Sequence, residues 1–68
     1  MFILKWTNKY SKETGFVESI SAKDKHFVNT FDKESAKKYS SKAIANRMIS
    51  SLKAYGEADQ NDFDVIEV

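Results

Sequence analysis

Cysteine and proline are absent from this 68-residue chain, and glycine occurs only at Gly15 and Gly56. Without cysteine there is neither a disulfide nor a thiolate metal site. A single histidine, His26, is too few for a histidine-based metal cage. No segment approaches the roughly 18 consecutive apolar residues that a membrane span requires. The Gly-rich phosphate loop and the nucleophile elbow are both missing, so neither an enzyme nor a cofactor is expected. Met1 leads into "FILKW" without the basic lead or small-residue cleavage site of a signal peptide, and the expected location is the cytoplasm.

A chain this short buries only about 60% of the surface it exposes when unfolded. Domains of this size usually add disulfides, a metal or oligomerisation. Here stability must come from five phenylalanines, three tyrosines and one tryptophan, or from a partner surface. Residues 1–68 read as one small domain without linker or repeat. The formal net charge of +1 conceals a split: residues 1–53 carry all eleven Lys and Arg against five acids, whereas residues 54–68 carry five acids and no base. Such a split suits either a nucleic-acid face with an acidic tail or two halves that neutralise each other across the folded surface.

Hydrophobic period predicts four strands and one helix. Phe2–Thr7 alternates with period two, and Phe16–Ser21 and His26–Phe31 follow, separated by the polar turn Ala22–Lys25. The stretch "TNKYSKETG" connects the first two strands, with Gly15 expected to help the chain turn back. Asp32 can cap a short turn through Lys38 that carries Ala36 inward. The period then lengthens: Ile44, Ala45, Met48, Ile49, Leu52 and Tyr55 share one helical face, with Ser40 or Ser41 as N-cap and Gly56 as the left-handed stop. "GEADQND" reads as a loop and Phe63–Val68 as the last strand. The predicted fold is α+β: an antiparallel meander with one helix on one face and a C-terminal strand, in the order βββαβ. That strand is expected beside the first, reached by a right-handed crossover.

Strict alternation divides the sheet into two faces. One holds Phe2, Leu4, Trp6, Phe16, Ile20, Phe27, Phe31, Phe63 and Val65, interrupted by Glu18, Asn29 and Glu67. The other holds Ile3, Val17, Val28, Ile66 and Val68 among Lys5, Thr7, Ser19, Ser21, His26, Thr30 and Asp64. Small helix residues complement large facing aromatics, so the aromatic face is expected under the helix. An open face would then present Ile3, Lys5, Val17, Val28 and Ile66 to a protein partner or to a second copy.

Five further constellations invite comparison with simpler explanations. Lys9, Tyr10 and Lys12 form a candidate contact at a loop tip. Lys37, Lys38, Lys42 and Arg47 could follow phosphates, although charge on an outer helix face is ordinarily solvation. A reversed register would expose Trp6, Phe16, Phe27 and Phe31 as a base-stacking platform, yet Glu18 and Glu67 would repel phosphate there. "DQNDFD" lacks the spaced ligands, turn glycine and closing glutamate of a calcium loop. His26 has no acid or nucleophile near it in sequence.

Within "VNTFDKESAKKYSSKAIANRMISSLKAYG", Thr30 ends a strand, Ala36 and Lys37 precede the aromatic Tyr39, and Ala43 opens an inward helix face. Phe63 and Val65 then give a closing "F-x-V" strand. This arrangement resembles small uncharacterised proteins of phages, prophages and mobile elements of Gram-positive bacteria. The resemblance implies no catalytic residues. It implies a phage-encoded modulator or inhibitor of a host protein, acting through the open sheet face or an edge strand, with nucleic acid as the alternative partner and no membrane.

Overall fold

The computed structural model describes residues 1–68, apart from the side chain of Ala58. Strands β1 (Phe2–Asn8), β2 (Thr14–Ser21) and β3 (His26–Thr30) precede helix α1 (Lys42–Ala54) and strand β4 (Asn61–Glu67). All strand pairs are antiparallel and the order across the single sheet is β3-β2-β1-β4. The fold is thus α+β with the order βββαβ, and β4 does lie beside β1. Because β3 and β4 run in opposite directions, the handedness rule for parallel crossovers has no hold on their connection. Strand β4 also begins earlier than its apolar period suggests, at Asn61, and a 3₁₀ turn occupies Glu57–Asp59 within the expected loop.

The helix forms where period and caps agree. Ser41 Oγ accepts the Ile44 N–H at 3.1 Å, which settles the N-cap in favour of Ser41. Ala45, Ile49 and Leu52 are buried and Ile44, Met48 and Tyr55 half-buried, so the predicted stripe faces the sheet. Gly56 ends the helix with φ 87°, in the left-handed region where glycine carries no Cβ penalty. Leu4, Trp6, Val17 and Tyr39 complete the core with these helix residues. A fully buried Leu or Val contributes about 1.5–3 kcal/mol, so this one cluster carries much of the stability.

The second strand departs from strict alternation. Phe16 pairs with Thr30 and Val17 with Asn29, but Ser19 pairs with Val28, so an extra residue bulges at Glu18. A bulge shifts the side-chain phase by one. Val17 and Ile20 therefore both face the helix, although they are three residues apart. Phe16, opposite Lys5, turns to the other face. The expected assignment of Phe16 to the core and Val17 to the open face is corrected, and Glu18, read as interrupting the aromatic face, is exposed.

A second departure is non-local. Direct pairing of β1 with β2 runs only from Thr7–Thr14 to Lys5–Phe16, whereas β1 pairs with β4 along its whole length. Beyond Lys5 the gap is filled by residues 36–39. The Lys37 N–H donates to the Val17 carbonyl at 3.0 Å, while Phe2 and Tyr39 exchange both backbone hydrogen bonds at 2.9 and 2.7 Å. Asp32 caps the 3₁₀ turn Lys33–Ser35 that leads into this wedge. Ala36 and Ile3 are buried beside it but outside the helix-side cluster. Burial also raises the Tyr39 phenol above its ordinary pKa.

Candidate functional site

Among the strands, helix α1 packs chiefly on β1 and β4, and on the β2–β3 half of the same face Val17, Ile20 and Phe27 pack into the core. Trp6 reaches across from β1. Its edge of Cζ2, Cε2 and Nε1 lies over Gly15 on β2, so close that a β-carbon there would stand 2.6–2.8 Å from those atoms. Gly15 is therefore a strand residue that admits an indole, not the residue that turns the chain. The left-handed position in that connection belongs to Lys12, at φ 67°. Trp6 meets Phe31 edge-on at 5.9 Å between ring centroids, and Phe27 meets Phe63 edge-on at 5.5 Å. Phe31, expected in the core, is 69% exposed because it lies just past the end of β3.

Beside these rings is a recess of about 280 Å³. Trp6, Phe27 and Asn29 form one part of its wall, and Asn8, Ser11, Glu13, Glu57 and Asn61 the rest. Register explains the gathering: Asn8 pairs with Asn61, and its N–H donates to the Glu13 carbonyl, so three strands and loops meet at this end of the sheet. Asn61 is buried and donates its side-chain amide to the Glu57 carbonyl at 3.4 Å. Asn8 Oδ1 accepts from the N–H groups of Tyr10 and Ser11 at 2.9 Å and holds the adjoining loop. Two carboxylates and no basic side chain line the recess. Trp6 is 5% exposed, and its Nε1 is the one buried side-chain polar atom among the described residues that lacks a hydrogen-bond partner.

The candidate residues read from sequence are dispersed. Ile3 and Val17 are fully buried, so neither is available to a partner in this fold. Lys5 and Ile66 are half-buried on the open face, and Val28 is 43% exposed on β3. Lys9, Tyr10 and Lys12 are exposed, with Tyr10 at 77%, and Lys9 Nζ lies 3.9 Å from an Asp62 carboxylate oxygen. Lys37, Lys38, Lys42 and Arg47 are all exposed. Among the described residues, no three acids or histidines gather to hold a metal, and no helix is long and apolar enough to cross a membrane. Sequence reasoning missed Glu13, Glu57, Asn8 and Asn61, because only strand register unites them. No family model, curated protein or solved structure matches the chain.

Proposed function

We propose that this chain is a non-catalytic protein-interaction module that pairs an extended segment of a partner protein with the free edge of β3. The difference between the two sheet edges carries this reading. Strand β4 bears Asp62, Asp64 and Glu67, all exposed, and charges of this kind are how sheet edges resist pairing. Strand β3, "HFVNT", bears no acid or lysine, has Val28 exposed, and is followed by the exposed Phe31. An unguarded edge flanked by apolar side chains suits strand addition, where main-chain bonds give affinity and alternate side chains give specificity. The resemblance of Val28–Gly56 to small phage and mobile-element proteins fits a cytoplasmic modulator or inhibitor of a host protein.

Peptides selected from a random display library against the folded chain test this reading. Selected peptides should perturb the backbone amides of residues 26–31 in ¹⁵N NMR spectra, and Val28→Lys should weaken them at least about tenfold by placing a charge on the edge. Peptides whose effects avoid residues 26–31 would sink it. The exposed bases Lys37, Lys38, Lys42 and Arg47 favour a second reading, nucleic-acid binding. Its signature is low-salt retention on oligonucleotide that falls steeply as salt rises.

A further inference from the structure

We infer that the recess beside Trp6 receives a guanidinium side chain, an arginine carried by the partner segment. This deepens the proposed role and rests on it only for the origin of the arginine. Glu13 and Glu57 supply two negative charges and no base offsets them within the walls. Phe27, half-buried, supplies aromatic surface of the kind over which a guanidinium settles, beside the edge of Trp6. At about 280 Å³ the space falls below the roughly 300–1,000 Å³ of pockets for drug-sized ligands, and it suits one long side chain.

The unpartnered indole adds an independent requirement. The Nε1 edge lies over Gly15, and Trp6 is one of the residues that line the recess. A buried donor without a partner is unfavourable, and a small shift of the ring would let a carbonyl or water satisfy it. Guanidinium has no acceptor, so an amide carbonyl beside the arginine, or a water, supplies it. A free carboxylate would meet Glu13 and Glu57. Placement agrees as well: Phe27 and Asn29 belong to β3, the edge at which the segment would pair, and neighbouring strands lie only about 4.8 Å apart. An arginine on the added strand reaches over β3 into the recess. Arginine is preferred to lysine because its planar fork stacks on rings and bonds a carboxylate through two N–H groups.

The single tryptophan makes the test direct, since its indole N–H gives one NMR signal, from a residue that lines this recess. N-acetyl-arginine amide, which carries both guanidinium and amide carbonyl, is titrated at constant ionic strength beside its neutral twin N-acetyl-citrulline amide. The expected result is a saturable shift of the indole N–H with the arginine compound. The citrulline compound should bind at least fivefold more weakly, and the same loss should follow in the Glu13→Gln/Glu57→Gln variant. Unchanged tryptophan fluorescence of that variant establishes that it is folded. No saturable shift, an equal response to citrulline, or an undiminished response in the variant overturns the inference. The β3 reading fails separately, if selected peptides leave residues 26–31 unmoved.

Discussion

The indole of Trp6 occupies the space that a side chain at Gly15 would need: a β-carbon there would stand 2.6 Å from Cζ2. A strand glycine normally weakens its strand by about 0.5–1 kcal/mol relative to alanine, so an unconstrained Gly15→Ala would stabilise. Here the added methyl must displace the largest ring in the core, and overpacking of this kind costs about 1–3 kcal/mol. Gly15→Ala should therefore lower the urea midpoint and shift the Trp6 emission. A variant as stable as the parent would show that the indole has room to move.

Why strict alternation reads β1 but misreads β2 follows from what each strand obeys. In β1, Leu4 and Trp6 face the helix as an unbroken period-two pattern requires. In β2, the bulge at Glu18 resets the phase, and nothing in "TGFVESIS" marks it. Residues 36–39 wedge between β1 and β2, and a wedge held by Lys37 on one side and Tyr39 on the other is invisible to local pattern. The helix was legible because its caps and period are local. The recess was not, since Asn8, Glu13, Glu57 and Asn61 meet only through register.

The two serines before α1 separate cap from neighbour. Ser41 Oγ accepts the Ile44 N–H at 3.1 Å, and loss of such a cap costs about 0.5–2 kcal/mol. Ser41→Ala should be destabilised by that amount in chemical unfolding. Ser40→Ala, at an exposed site beyond the cap, should stay within about 0.5 kcal/mol of the parent. Equal effects would mean that the cap contributes little.

Tyr39 predicts an alkaline limit. Burial raises its phenol above the ordinary value of 10.0, so the folded chain holds the proton more tightly than the unfolded chain does. Stability from this source is fully present below pH about 10, and it declines as pH rises toward and through the folded value. Urea midpoints measured from about pH 9 upward should fall more steeply for the parent than for Tyr39→Phe, which has no proton to lose. Parallel curves would place the alkaline loss elsewhere.

Phe27 and Val28 are neighbours on β3 that should answer differently to substitution. Phe27 faces the helix side, half-buried, with its ring edge-on to Phe63 at 5.5 Å. Phe→Ala in a full core costs about 3–5 kcal/mol, and half-burial reduces this to about 2 kcal/mol. That loss is a large fraction of the roughly 3–10 kcal/mol expected for a domain of this size. Val28 faces outward on the free edge, and Val28→Lys there should change stability by less than about 0.5 kcal/mol. Unfolding midpoints give the first comparison and peptide affinities the second. Phe27→Ala should lose stability, whereas Val28→Lys should keep its fold and lose the partner strand. The reverse pattern, an unfolded Val28→Lys beside a stable Phe27→Ala, would mean that the two faces of β3 have been exchanged.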